Sequence, residues 1–407
     1  MKALVIGGSL GGLFAANLLG GLGWDVEVFE KVGDDLAVRG AGIGTHTELV
    51  DVLARLGITM DERLGVVIPD RICVDREGRE LYRCHWAHTM SAWANVYRPL
   101  KDRFPAARYH FGRGFTGLVQ DGKRVTAFFD DGSSAEGDLL VGADGLRSTV
   151  RAQLMPDVQP QYAGYVAWRS IVEERLLPPR SREWLGEGYW FVLPKGEMFL
   201  CYQVPAKQIG QTRSRIGRDW NYVWYRPASE AQLADFCTDA SGKCHGTGIA
   251  PPLIRPDVTA YIKREGRELL PPHLAGLIDV SQPFFQAIFD IESPRLTIGR
   301  VALLGAAAFV ARPHVGMGVT KGALDALCLA NSLSGNSLEK ALARYDRLRS
   351  EFGRRCVARA RRLGSYIEAR SRPEQAWTPG QLDQRPERVL QEVALALADI
   401  PELEIEI

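Results

Sequence analysis

The residues best equipped for chemistry stand at the start of the chain, in Gly7-Gly8-Ser9-Leu10-Gly11-Gly12, between an apolar run and a helical stretch. A cluster of this kind cradles a pyrophosphate: one glycine makes the tight turn, another lets helix and strand pack closely, and the free N–H groups of the helix start face the anion. Gly7 and Gly12 hold the first and third glycine positions, while Ser9 takes the middle one, where its hydroxyl can bond a phosphate oxygen. Leu10 opens the helix that follows. Glu30 ends the next apolar strand, where an acid accepts hydrogen bonds from an adenosine ribose and disfavours a 2′-phosphate. Together these residues predict an adenine dinucleotide and leave open whether it is NAD or FAD.

Other chemistries find less support. His85 and His88 flank Trp86 without a third ligand in view, so no metal site is expected. No Ser-His-Asp or Cys-His arrangement has local support. The seven cysteines form an odd, scattered set with no C-x-x-C pair, which argues against a disulfide framework and for a reducing cytoplasm. Lys and Arg number 50 against 49 Asp and Glu, for a net charge of +1, so neither a nucleic acid nor an anionic membrane is the expected partner. No apolar run approaches the ~18 residues of a membrane-spanning helix, and Met1 leads directly into the first strand without room for a signal peptide. Eight arginines crowd residues 344–362, but Leu342, Tyr345, Leu348 and Phe352 repeat at helical spacing, so one face packs and the charges are read as a solvated face. A subunit contact through acidic residues 402–406, and with it a homodimer, stays open.

The elements that position the glycine turn read as a βαβ unit: a strand over Lys2–Ile6, a helix over Leu10–Leu22 and a strand over Trp24–Phe29. A second glycine turn at 40–44 precedes a helix over Glu48–Leu56. Hairpins are expected at Arg76-Glu77-Gly78 and at Asp130-Asp131-Gly132. Residues 160–285, rich in Trp, Tyr and Pro, carry strand-like pieces at Tyr165–Ile171, Tyr189–Leu193 and Phe199–Val204, pointing to a mostly antiparallel second sheet. A buried strand at Val301–Leu304, a glycine-rich loop and a helix from Gly318 to about Leu333 return the chain to its first unit. The fold class is α/β: a Rossmann-type dinucleotide domain from segments 1–70, 98–158 and 286–340, a substrate domain from 71–97 and 159–285, and a helical region over 341–407.

Two further motifs decide between the dinucleotides. Gly142-Ala143-Asp144-Gly145-Leu146-Arg147-Ser148, and the stretch from Gly305-Ala306 through Arg312-Pro313-His314-Val315-Gly316-Met317-Gly318 to a helix carrying Asp325, resemble the two later flavin motifs of the single-component FAD-dependent aromatic hydroxylases. Within that family the resemblance is strongest to the members acting on dihydroxypyridines, on Arg108-Tyr109-His110, residues 162–169 and Trp224-Tyr225-Arg226. The resemblance implies FAD as cofactor, NAD(P)H as a transient co-substrate, O2, and hydroxylation of an electron-rich aromatic or heteroaromatic ring beside an ionised hydroxyl. It also implies that Asp144, Gly305, Ala306, Pro313, Gly316, Met317 and Gly318 line the flavin. Gly316 and Gly318 let a flat ring lie close to backbone, and the helix after them turns its positive end toward it. His314 is the expected catalytic group facing the substrate, and His46, after the other glycine turn, a second one.

By the same resemblance the hairpin over 189–204 walls the substrate pocket, with Phe191, Leu193 and Cys201 turned inward. None of these is an arginine, which favours an uncharged or weakly acidic heteroaromatic over a benzoate. One departure stands out: the family normally has an aspartate after Gly305, and this chain has Ala306, at a cost of about 1.5–3 kcal/mol in cofactor affinity. Three rivals remain at this stage. They are a same-fold flavin oxygenase performing epoxidation or ring expansion, an NAD-dependent dehydrogenase, and a non-catalytic flavin- or ligand-binding protein.

Overall fold

In the computed structural model, residues 1–36, 41–206, 217–371 and 383–404 are described. Gly40 of the second glycine turn and Glu406 of the acidic tail lie outside the described residues. The opening strand Lys2–Ile6 sits near the middle of a six-stranded sheet, paired in parallel with Leu139–Gly142 on one side and Asp25–Glu30 on the other. Val301–Leu303 and Tyr109–Phe111 extend it in parallel, and Thr297–Ile298 adds an antiparallel edge. Ala3, Leu4 and Val5 have no exposed surface, because helices cover such a sheet on its faces. The helices Leu10–Gly21 and Gly318–Leu333 approach each other through glycines: a Cβ on Gly322 would stand 3.7 Å from the Gly11 Cα and 3.9 Å from the Gly305 Cα. That contact brings the first and last flavin motifs together from opposite ends of the sequence.

The second sheet has nine strands, in the order Phe309–Val310, Phe284–Glu292, Gln161–Glu173, Arg218–Pro227, Met198–Pro205, Tyr189–Val192, Val66–Val74, Glu80–Ala92 and Gly42–Thr45. All its pairings are antiparallel except that of Tyr189–Val192 with Val66–Val74. Both expected hairpins form, with Gly78 and Gly132 in the left-handed region that lets each turn close. Sequence reading gave this middle segment strands alone. The structure adds helices Pro256–Leu269 and Pro272–Val280, which cover the outer face of the sheet where Trp168, Trp220 and Trp224 are buried. Their signals were present: a proline at the first helical position of each, and Val258, Ile262 and Gly266 buried at four-residue spacing.

The inner face carries Tyr165, Tyr189, Phe191, Leu200, Tyr202, Val223 and Tyr225 and packs against the helix Leu338–Ser371 and the segment 386–404. Arg347, Arg354, Arg355 and Arg361 are exposed, as a solvated face requires, but Arg349 and Arg359 depart from that reading. Arg349 is fully buried on Asp325 at 2.7 Å, and Arg359 is buried against Glu402 and, at 3.0 Å, the Glu392 carbonyl. Arg361 reaches Asp290 and Glu292, and Arg362 reaches Glu392. The sheet on one side and the returning chain on another enclose part of the helix, and the cations on those sides meet carboxylates. Glu402, considered for a subunit contact, is thus engaged within the same chain.

Candidate functional site

A cleft of about 420 Å³ opens at the carboxyl ends of the parallel strands. It gathers Gly7, Ser9, Leu10 and Glu30 from the first unit, Asp144 from the second motif, and Gly305, Ala306 and Gly318 from the third. Gly7 has φ +101°, and a Cβ there would lie 2.5 Å from the Ala143 carbonyl oxygen. Gly12 stands behind the turn, where a Cβ would lie 1.9 Å from the Gly7 carbonyl oxygen. Only glycine fits either place, so the turn can bring backbone close to a ligand. Ser9 begins the helix without capping it by its side chain, so the hydroxyl is not spent on the helix.

Glu30 is buried at the cleft wall, where its Oε2 accepts from the Gly8 N–H at 2.8 Å and its Oε1 from the Val32 N–H at 3.0 Å. Those bonds fix the carboxylate and leave further lone pairs for ribose hydroxyls. Replacing Glu30 by Ala is expected to weaken FAD binding about ten- to a hundredfold, since charge-assisted bonds contribute about 1.5–3 kcal/mol. Flavin retention after dialysis is the measurement, and retention equal to that of the unmodified chain would remove Glu30 from the cofactor site.

Asp144 spends its oxygens on its own chain. Oδ1 accepts from the Ser148 hydroxyl at 2.5 Å, and Oδ2 from the Thr149 and Val150 N–H groups at 2.7 and 3.1 Å. Burial pushes its carboxyl above the ordinary aspartate range, against the pull of these bonds. It therefore shapes the cleft by tying down the start of the helix Thr149–Leu154. Arg147 of the same motif lines the cleft, as do Arg113 and Trp93, which nothing in the sequence marked because they stand singly on otherwise ordinary segments.

Beyond the cleft, Pro313–Val315 forms a short turn, Gly316 takes φ +69°, and the buried Met317 precedes the helix Gly318–Leu333. Pro313 and Gly318 are exposed, as a surface receiving a ring requires. His314 is buried beneath this turn. Its Nε2 lies 2.8 Å from the Tyr165 hydroxyl, its ring centroid is 4.4 Å from that of Tyr225, and its Nδ1 has no partner. With Tyr165 donating to Nε2, Nδ1 carries the proton and is a buried donor awaiting an acceptor. Gly364 on the long helix makes room for this pair, since a Cβ there would lie 2.4 Å from the Tyr165 oxygen. Burial, aided by the Arg312 charge, lowers the His314 pKa to about 3.

His46 is also buried and lies close to the turn: a Cβ on Gly316 would stand 3.6 Å from its Cε1. Its Nε2 donates to the Leu395 carbonyl at 3.0 Å, so its Nδ1 accepts from the Thr320 hydroxyl at 2.8 Å. Burial lowers its pKa to about 4, with the Leu395 bond opposing and the Arg71 charge assisting. The Ala394 N–H donates to the His314 carbonyl at 2.8 Å. Both histidines are therefore held by the turn at Ala394-Leu395, an element no motif announced.

Of the three residues expected on the hairpin, Phe191 is fully buried on the inner face and Leu193 partly buried beside it. The structure does not bring Cys201 to that face. Cys201 pairs with Trp190, one position out of step with Phe191, and is buried under the outer helices. Since neighbouring strand residues alternate faces, Leu200 and Tyr202 take the inward positions instead. Among the described residues, no group of His, Cys, Asp and Glu is arranged to hold a metal ion.

The glycine cradle, the ribose-facing acid and the flat turn above a helix start fit FAD. Residues 162–290 match the family model "FAD binding domain-like". The chain is 30% identical over 384 residues to the FAD-dependent urate hydroxylase of Klebsiella pneumoniae, covering 89% of each chain. It belongs to the family of FAD-dependent aromatic hydroxylases and monooxygenases. Within that family it is 28% identical over 376 residues to the 2,6-dihydroxypyridine 3-monooxygenase of Paenarthrobacter nicotinovorans, covering 90% of this chain and 91% of that one. The solved structure of 2,6-dihydroxypyridine-3-hydroxylase from Arthrobacter nicotinovorans superposes with a TM-score of 0.85 at 27% identity, over 93% of this chain and 94% of that one. The cofactor is therefore FAD, and the dehydrogenase reading falls. Among the described residues, no helix is long and apolar enough to cross a membrane.

Proposed function

We propose that this chain hydroxylates a weakly acidic hydroxylated nitrogen heteroaromatic, such as a hydroxypyridine, with NAD(P)H and O2 as co-substrates. The observation that carries this is the inner face of the nine-stranded sheet, where Tyr165 and Tyr225 flank a neutral His314 beside the flavin turn and Tyr189 and Tyr202 lie on the same face. The arginines described at that face, Arg71, Arg169 and Arg312, are already committed, Arg312 to Asp290 and Glu368. Arg71 donates to three backbone carbonyls, and Arg169 donates to the Gly42 carbonyl and the Gln286 side chain. Among the described residues a full carboxylate would find no free cation on that face, whereas a heteroaromatic hydroxyl needs only neutral hydrogen-bond partners. The pyridine substrate of the bacterial relative supports the same class.

Bound FAD supplies the redox chemistry, activating O2 so that one oxygen atom reaches the ring. The chain's own residues bind and orient. Phe191, Leu200 and the tyrosine rings exclude water and stack against an aromatic ring. His314, with the Tyr165 hydroxyl donating to Nε2, donates from Nδ1 to a substrate oxygen. With a pKa of about 3 it is too weak a base to keep the substrate proton, so it favours the ionised substrate by hydrogen bonding. His46, engaged at both ring nitrogens, positions the turn and takes no proton. We assign the cofactor to the six-stranded sheet and the substrate to the nine-stranded one; the latter also takes in Gly42–Thr45, Phe309–Val310 and parts of Val66–Val74 and Phe284–Glu292, from segments that sequence reading gave to the dinucleotide domain.

The test is a spectrum and a turnover assay. Purified protein with added FAD is expected to retain flavin absorption, and dihydroxypyridines are expected to drive NAD(P)H oxidation with hydroxylated product. Flavin retention with no product from any hydroxylated pyridine would overturn the substrate assignment.

A further inference from the structure

Ala306 leaves the flavin turn without the aspartate its relatives are expected to use, yet the turn is gripped from behind. Lys321 lies one turn into the helix that starts at Gly318. Its Nζ donates to the Gly305 carbonyl at 3.0 Å and to Asp325 Oδ2 at 2.7 Å. The same Asp325 oxygen accepts from the Gly305 N–H at 2.9 Å, so both polar backbone groups of Gly305 are held by one ion pair. Arg349 donates to the other Asp325 oxygen at 2.7 Å, and its Nη1 and Nη2 are buried without partners. Lys321, Asp325 and Arg349 are each at least 95% buried. Two cations thus share one carboxylate in the low-dielectric interior directly behind Ala306, which is itself exposed in the cleft. An unbalanced buried cation is costly unless an anion approaches. The anion that the cleft is built for is the pyrophosphate, at the Gly7–Gly12 turn that meets Gly305 through Gly11 and Gly322.

We propose that Lys321 is a cofactor-affinity residue of this chain, holding the Gly305-Ala306 turn in its binding shape and supplying a surplus positive charge toward the FAD pyrophosphate in place of an aspartate side chain at 306. The proposal rests on the FAD reading of the cleft. An aspartate at 306 would face the cleft and offer the cofactor a bond. This chain instead keeps the charge and forgoes the bond.

The test is FAD titration of the apoprotein by flavin fluorescence, together with its melting temperature without FAD. Lys321→Met is expected to weaken FAD binding about tenfold or more, the loss of a charge-assisted contact. Its cofactor-free melting temperature should be unchanged or higher, because Asp325 and Arg349 then form a balanced pair. Adding Ala306→Asp to Lys321→Met should recover most of the affinity. A purely structural lysine would instead lower the melting temperature and leave the affinity of the folded fraction unaltered, which overturns the proposal. Should Lys321→Met fail to fold, Lys321→Gln keeps a donor for Gly305 and removes the charge. Affinity equal to that of the unmodified chain in Lys321→Gln overturns the proposal as well. An unmodified chain that takes up no FAD at all would strike the cofactor reading itself, a separate and recognisable outcome.

Discussion

Replacing Arg71 by Leu is expected to release the C-terminal segment and to cut substrate-dependent NAD(P)H oxidation by about a hundredfold while FAD stays bound. Arg71 has no exposed surface, and its Nη1 donates to the Leu390 and Val393 carbonyls at 2.9 and 2.6 Å and its Nη2 to the Ala394 carbonyl at 2.8 Å. Its guanidinium also lies against the Trp86 and Tyr189 rings, 5.5 and 5.7 Å from their centroids. Leucine fills part of the volume and leaves three carbonyls buried without donors. Breaking a buried charged contact of this kind costs about 3–5 kcal/mol, which shifts docking of the segment by a hundredfold or more. Undocking withdraws the Ala394 N–H from the His314 carbonyl and the Leu395 carbonyl from His46, so both histidines lose their support together. No residue of the segment lines the cofactor cleft, which is why flavin content should hold. Limited proteolysis and turnover, measured side by side, check this. Wild-type turnover with an unaltered digestion pattern would show that Arg71 does not hold the segment, and parallel loss of flavin would show that it serves the whole fold.

The cofactor half of the site was readable because its residues are adjacent in sequence and each has a steric or electrostatic reason to be where it is. Gly7 and Gly12 could be placed in advance because no Cβ fits at either, and Glu30 because a parallel strand must end beside the helix start. The substrate half is assembled differently. Tyr165, Tyr225, His314, Arg71 and Leu395 come from five separate stretches, and a strand residue's face depends on a register that only pairing sets. Cys201 illustrates the cost, since its one-residue offset from Phe191 moved it to the other side of the sheet. Arg349 and Arg359 of the long helix, unlike the exposed Arg347, Arg354, Arg355 and Arg361, misled for a related reason. Their spacing is that of a solvated face, and nothing local says that Asp325 and Glu402 return to meet them.

That assembly leaves three histidines buried and uncharged, and acid should find them. Burial is the leading cause in each case: His46 falls to about 4, His314 to about 3, and His88, with the Arg71 charge adding to its burial, to about 3, all from an ordinary 6.5. Unfolded, each would bind a proton near pH 6.5; folded, each stays neutral until far lower. Between those values the unfolded state holds more protons, so stability falls as the pH falls, and at or above pH 7 the effect is absent. Each pH unit below 6.5 costs about 1.4 kcal/mol per histidine, or about 6 kcal/mol for the three by pH 5, comparable with the whole stability of many domains. Thermal melts from pH 7.5 to 5 should therefore show a steep drop beginning near 6.5, with turnover lost over the same interval. Replacing His88 by Gln, which cannot take up a proton, should remove about a third of that dependence. A melting temperature that stays level from pH 7 to 5 would mean that these imidazoles reach water or a carboxylate in the folded protein. The neutral His314 on which the substrate-orienting role depends would then be lost as well.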